Sequence, residues 1–330
     1  MKVNLFRHAN KELSQDAFLV WLLSWGAPEC KGDLMYEYGT NFIQFLYGKL
    51  GLESPVISSL HAYKQDARID IVCNINDNEA LLIEDKVGTK QHDDQLKRYR
   101  GEMAGRGYQQ VHPLYIQTGE QCDYAPVIEA GYTVITRKDL LTFFSNNAEL
   151  QKQANNQILN DYVDYLTEIE EDVQSYKTLP LQDWTYRGWL GFYQALQDEL
   201  EEGGWDYVAN PAGGFMGFWW HWLKNDECYP YLQLEEGKLC FKISGENAQE
   251  CRSLMYGYRD YLVKKGEEKG LNILPPAKLR AGAYTTVAIL GKDYRICKDN
   301  DRIDMEATIN YLKGITSFFD DVMKDFNLNS

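Results

Sequence analysis

Residues 68–87 read Arg68-Ile69-Asp70-Ile71-Val72-Cys73-Asn74-Ile75-Asn76-Asp77-Asn78-Glu79-Ala80-Leu81-Leu82-Ile83-Glu84-Asp85-Lys86-Val87. Two apolar runs, 68–75 and 80–87, flank a cluster of turn-forming residues, so the spacing predicts a β-hairpin. Side chains alternate faces along a strand, which puts Glu84 and Lys86 on one side at the far end of an apolar run. With Asn76 to Asn78 as the loop, Asp70 falls opposite Glu84. A loop one residue longer pairs Asp70 with Asp85 instead. Either register gathers carboxylates and one ammonium in apolar surroundings, where like charges repel and resist desolvation. A divalent cation relieves that cost, and hard oxygen ligands suit Mg²⁺ or Mn²⁺.

Around this hairpin the periodicities predict helices over 11–25, with Asn10 as N-cap, and 34–50. Strands are expected at 55–63, 111–117 and 132–136, with helices at 91–106 and 138–144. Helices that alternate with short strands define an α/β class, a mixed sheet covered by helices. From residue 147 the pattern changes. A helix is expected over 150–176, another over 184–202, and strands at 205–209, 214–223, 229–234 and 238–244. A helix at 247–265, a strand at 284–290 and a terminal helix at 305–326 complete an α+β half. The organisation expected is 1–146 as one domain, 147–180 as a helical connector and 181–330 as a second domain that holds six of the eight tryptophans. Within Phe215-Met216-Gly217-Phe218-Trp219-Trp220-His221-Trp222, strand alternation puts Phe218, Trp220 and Trp222 on one side and Trp219 and His221 on the other. A core or interface strand is the expected reading, with base stacking as the rival and a carboxylate as a partner for His221.

Composition narrows the function. The chain of 330 residues carries 34 Lys and Arg against 49 Asp and Glu, a net charge of −15. After position 150 there are 19 basic and 29 acidic residues, so −10 of that charge lies in the second half. Such acidity argues against broad electrostatic binding to DNA or an anionic membrane. The Lys86–Arg106 stretch runs the other way, with six basic residues against three acidic. No apolar run approaches the length of a membrane helix, and the first residues lack a signal-peptide apolar region. Seven widely spaced cysteines without a C-x-x-C fit a reducing compartment, so a cytoplasmic protein with free thiols and no structural zinc is expected. No P-loop, dinucleotide fingerprint, G-x-S-x-G or H-E-x-x-H occurs.

The D…E-x-K arrangement of Asp70, Glu84 and Lys86 resembles the PD-(D/E)xK nuclease superfamily. Glu12-Leu13-Ser14-Gln15-Asp16-Ala17-Phe18-Leu19-Val20-Trp21-Leu22-Leu23 looks like the N-terminal helix of a bacterial branch of it. Gln95-Leu96-Lys97-Arg98-Tyr99 looks like its Q-L-x-x-Y helix. The resemblance covers about residues 5–145. Ile69 stands where some members have proline, a position that varies across the superfamily. The resemblance implies a restriction-endonuclease-like core, with Asp70, Glu84, the Asp85 carbonyl and Glu12 around Mg²⁺ or Mn²⁺. Asp16 is the substitute for Glu12. Lys86 would orient or deprotonate the attacking water, and Gln95, with Tyr99 on the same face, would reach the site. Lys90, Lys97, Arg98 and Arg100 would contact phosphates. The function implied is metal-dependent phosphodiester hydrolysis, with DNA as the expected substrate and the second domain as selector of substrate or partner. The setting implied is a bacterial defence, mobile-element or repair system. The alternative is a catalytically silent nuclease fold whose acidic second half binds a protein.

Overall fold

In the computed structural model the described residues are 3–66, 69–91, 94–211, 213–224, 228–245 and 251–329. The chain divides into two compact units, residues 1–171 and 172–330.

The first unit begins with α1 (Glu12–Ser24) and α2 (Leu34–Lys49), followed by β1 (Leu60–Asp66), β2 (Ile69–Ile75) and β3 (Glu79–Lys86). Then come α3 (Gln95–Ala104), β4 (Gln110–Gln117), α4 (Ala125–Glu129), β5 (Thr133–Thr136), α5 (Arg137–Asn146), α6 (Ala148–Ala154) and α7 (Gln157–Gln174). The five strands form one sheet in the order β1-β2-β3-β4-β5, antiparallel through β3 and parallel from β3 to β5. Helix α3 is the crossover between the parallel strands β3 and β4, as such a connection requires.

The hairpin loop is Asn76 to Asn78, because Ile75 pairs with Glu79. The longer loop, which would have paired Asp70 with Asp85, is thereby excluded. Asn76 and Asp77 both take positive φ, 53° and 59°, a region that Asn and Asp tolerate better than most residues. The Asn76 side chain also accepts from Ser58 N (2.7 Å) and donates to Val56 O (2.9 Å), which ties the turn to the segment before β1.

The sheet is covered on both faces. Ile71, Cys73, Leu81, Ile83, Leu114 and Ile116 pack with α1, α2 and α7 on one side. Val72, Leu82 and Tyr115 pack with Leu96, Tyr99 and Met103 of α3 on the other. Phe18 of α1 stacks on Tyr162 of α7 at 3.7 Å between ring centroids. Strand β3 is the most deeply enclosed, buried from Ala80 through Lys86.

Several expected boundaries move. The first strand spans 60–66 rather than 55–63. Lys11, not Asn10, precedes α1, and its side chain makes no capping bond. The long helix expected from 150 is two helices, α6 and α7, because Asn155 takes a left-handed conformation (φ 44°). Thr136 and Asp139 form a reciprocal capping box that starts α5 at Arg137. Residues 68, 92 and 93, within expected elements, lie outside the described residues, as do 247–250 at the start of the expected 247–265 helix.

The second unit holds α8 (Tyr186–Gln197), β6 (Gly204–Val208), β7 (Phe215–Trp220), β8 (Cys228–Glu235), β9 (Lys238–Gly245) and α9 (Cys251–Glu268). It continues with β10 (Ile273–Leu274), β11 (Tyr284–Leu290), β12 (Cys297–Lys298), β13 (Arg302–Ile303) and α10 (Met305–Asn329). Six strands form an antiparallel sheet, β10-β11-β9-β8-β7-β6. Phe218 lies against Tyr193 of α8, and Phe241 against Phe319 of α10. Trp220 donates to Thr316 Oγ1 of α10 at 3.0 Å. One face of this sheet is therefore the core. Strand β7 ends at Trp220 because His221 is left-handed (φ 58°). Alternation stops there. Trp222, expected beside Phe218 and Trp220, instead stacks on Tyr231 at 3.9 Å with a 10° interplanar angle. His221 meets Asp320 Oδ1 at 2.7 Å, the carboxylate partner anticipated for it. Cys30, Cys73, Cys240 and Cys297 are free thiols, but Cys228 is disulfide-bonded, which departs from the expectation of free thiols.

Candidate active site

The site is built at the carboxyl end of β3, where α3 follows. The antiparallel register closes with Ile71 opposite Ile83, so Asp70 and Glu84 are the next residues along and share a face. Lys86, two residues on, joins them. Its Nζ lies 2.5 Å from Glu84 Oε1 and 3.7 Å from Asp70 Oδ2. Gln95, the first residue of α3, donates to the same Glu84 oxygen at 2.8 Å and to the Tyr99 hydroxyl at 3.1 Å. Asp70 Oδ2 also accepts from the Asp85 backbone N–H at 3.0 Å. Asp70, Glu84, Lys86 and Gln95 thus form one cluster, with Tyr99 beside it.

The side chains differ in their access to water. Glu84 is 1% and Lys86 8% exposed, while Asp70 is 26% exposed and forms the open side. Burial, with the Asp70 charge, pushes the Glu84 carboxyl up to about 7. Burial also raises Asp70, opposed by the Asp85 N–H bond and the Lys86 charge. For Lys86 burial works toward the neutral form, but Glu84 and Asp70 outweigh it and hold the ammonium above its ordinary value. Glu84 Oε2 is buried with no hydrogen-bond partner. Two carboxylates with one orphaned oxygen form a site short of positive charge, which a proton or a cation supplies.

Asp85 points its side chain the other way. Its Oδ1 accepts from Gln15 Nε2 at 2.6 Å, and Gln15 Oε1 accepts from Thr118 Oγ1 (2.8 Å) and the Tyr162 hydroxyl (3.1 Å). Asp16 joins Asp85 on this face, and burial, with the Asp70 charge, pushes Asp16 up to about 7. Asp16, the stand-in for Glu12, thus engages Asp85 while still within reach of the Asp70 charge. Glu12 accepts from Thr89 Oγ1 at 2.5 Å, just beyond Lys86, and makes no described bond to Asp70 or Glu84. Of the phosphate-contact candidates, Lys97 is exposed beside Asp94 Oδ1 (3.7 Å). Arg98 lies over the Tyr99 ring, Arg100 donates to Ala130 O at 3.4 Å, and Lys90 is half-buried. Gln15, Thr118, Tyr162 and the buried Arg137, which bridges Glu120 and Glu170, went unnoticed in the sequence. No spacing marks them, because their partners lie far along the chain.

A mixed five-stranded sheet with this cluster at the end of its central strand defines a restriction-endonuclease-like core. A family model described as PD-(D/E)XK nuclease superfamily matches residues 59–166. The match takes in β1 through most of α7, including Asp70, Glu84, Lys86 and Gln95, and leaves Glu12 outside. It covers about a third of the chain. No curated protein and no solved structure matches at significance. Nucleases of this superfamily generally use divalent metals. Among the described residues no three or more His, Cys, Asp or Glu side chains are grouped to hold an ion, and no helix is long and apolar enough to cross a membrane.

Proposed function

We propose that the first unit hydrolyses phosphodiester bonds in DNA with Mg²⁺ or Mn²⁺ as cofactor, and that the second unit selects the substrate. The observation that carries this reading is the convergence of Asp70, Glu84, Lys86 and Gln95 at the end of β3. The donor set suits the ion. Mg²⁺ typically takes one or two carboxylates and keeps its remaining sites for waters and substrate phosphate, so a closed cage is not required. Asp70, Glu84 with its unpartnered Oε2, and the Asp85 carbonyl would hold it, with Glu12 acting from the edge. When bound, the ion supplies Lewis acidity and a lowered pKa for bound water.

The chain's own groups do the rest. Lys86 stays an ammonium at neutral pH, so it acts as a donor to the phosphate oxygens as their charge builds rather than as a base. A fixed donor aimed at developing charge needs no reorganisation during reaction. Gln95 holds Glu84 on target through Oε1 and links it to Tyr99. Lys97 and Arg98 lie exposed on α3 and would guide the backbone through phosphate contacts.

Purified protein with Mg²⁺ or Mn²⁺ should cut at least one of a panel of duplex and single-stranded DNAs. Lys86→Ala should lower that rate by about 10²–10³-fold, the usual cost of one electrostatic donor, with an unchanged circular dichroism spectrum. Cleavage that survives Lys86→Ala at full rate would remove Lys86 from the mechanism.

A further inference from the structure

The second unit carries a pocket that the nuclease site does not use. Its sheet buries one face under α8, α9 and α10. The other face holds a cavity of about 340 Å³ lined by Trp219, Trp222, Tyr231, Gln233, Lys242 and Tyr284. The register explains the grouping. Trp219 pairs with Gln233 and Tyr231 with Lys242, and Tyr284 lies two residues from Thr286, the partner of Lys242. Directly paired residues share a face, so five strand residues project together. The left-handed His221 swings Trp222 to join them. Gly204 and Gly217 keep the floor open: a Cβ at Gly204 would sit 2.6 Å from the Trp219 indole nitrogen.

The chemistry of the lining narrows the occupant. Four aromatic rings surround a chain of polar groups. Tyr231 OH donates to Gln233 Oε1 (3.2 Å), Gln233 Nε2 donates to Glu235 Oε1 (3.1 Å), and Lys242 Nζ donates to the same oxygen (3.0 Å). Gln233 and Lys242 are 5% and 7% exposed. An amide has two N–H groups and an ammonium three, so donors remain beyond these bonds. The Lys242–Glu235 ion pair carries no net charge, so the described lining offers no unpaired carboxylate to a cationic guest such as a methylammonium. Glu235 neutralises that ammonium, so a free anion gains little. A flat, neutral guest with donors and acceptors on its edge fits both constraints. The geometry points to an unpaired nucleobase, stacked on Trp222 or Trp219 and read along its edge by Gln233 and Lys242. Sheet-borne aromatics and base–aromatic stacking are general means of holding single strands. The choice of a base on a nucleic-acid strand, over other planar heterocycles, rests on the nuclease reading.

The test uses the full chain carrying Lys86→Ala in EDTA, so that binding is read without cleavage. The probe is a fluorescein-labelled single-stranded DNA of mixed sequence, beside an abasic strand of equal length, followed by fluorescence anisotropy. Adding Trp222→Ala should weaken binding of the base-bearing strand about tenfold, and Trp222→Phe should restore most of it. The abasic strand should bind Lys86→Ala as weakly as the base-bearing strand binds the Trp222→Ala variant. Equal affinities with and without Trp222, equal affinities for both strands, or no binding to either would overturn the pocket. A strand bearing 5-iodouracil, photo-cross-linked to protein with Trp222 intact, guards against misfolding of the variants. Adducts at Trp219, Trp222 or Tyr284 support the proposal, and adducts confined to the first unit overturn it. Binding through Trp222 by a protein whose wild type cuts nothing would sink the nuclease reading alone. Cleavage by wild type with binding indifferent to Trp222 would sink the pocket alone.

Discussion

At the scale of single residues, β3 ends in three consecutive ionisable side chains that are all buried, Glu84, Asp85 and Lys86. Glu84 and Lys86 neutralise one another on the face they share with Asp70. Asp85 faces Asp16 on the other side, where Asp16 Oδ1 and Asp85 Oδ2 are buried without a hydrogen-bond partner. Two carboxyl groups in that position can bond only through a shared proton. Burial raises Asp16 to about 7 and Asp85 well above the usual carboxylate range. A raised carboxyl pKa contributes stability that is complete below the unfolded value near 4 and is lost as pH rises through about 7. Asp16→Asn removes the titration and gives Asp85 an N–H donor. It should stabilise the protein at pH 8 by on the order of 1 kcal/mol, or about 2–4 °C in melting temperature, and give no gain at pH 5. Melting curves at both pH values decide it. A variant destabilised equally at both would show that the pair does not titrate as described.

At the scale of elements, the hairpin sets the site. A one-residue slip would turn every side chain of a strand to the opposite face, so the loop from Asn76 to Asn78 decides that Glu84, and not Asp85, meets Asp70. Asn76→Ala loses the bonds to Ser58 and Val56 and keeps a β-carbon where φ is 53°, without the amide that makes asparagine tolerant of that region. Asn76→Gly loses the same bonds without that conformational cost. Urea unfolding should therefore find the alanine variant less stable than the glycine variant by about 1 kcal/mol. The reverse order would mean that the turn is not held by its backbone conformation. This hairpin was legible in the sequence because period two and a turn cluster are local signals. Asp70, Glu84 and Lys86 follow from it, and Gln95 from the resemblance of the helix that begins with it. The opposite face was not legible, since the Gln15–Asp85 and Gln15–Tyr162 bonds join residues 70 and 147 positions apart. Trp222 departs from its expected face for a different reason: strict alternation does not survive His221, whose left-handed backbone no apolar pattern reveals.

At the scale of the whole molecule, a net charge of −15 stands beside a nuclease-like core. Most of the excess lies after residue 150, and part of the rest is the carboxylate cluster, which a cation would offset. A protein of this net charge gains little from non-specific phosphate attraction beyond what the exposed Lys97, Arg98 and Arg100 supply. Its grip on a strand would then depend on the cluster and on base contacts in the second unit. In the function proposed above, Asp70 and Glu84 form a metal centre beside Lys86. Isothermal calorimetry with Mn²⁺ tests it most directly, on wild type and Glu84→Ala at pH 8 and pH 6. Because Glu84 titrates near 7 and must lose its proton to bind metal, wild type should bind more tightly at pH 8. The variant should lose most of the affinity at both pH values. Mn²⁺ binding that is undiminished in Glu84→Ala would contradict the account.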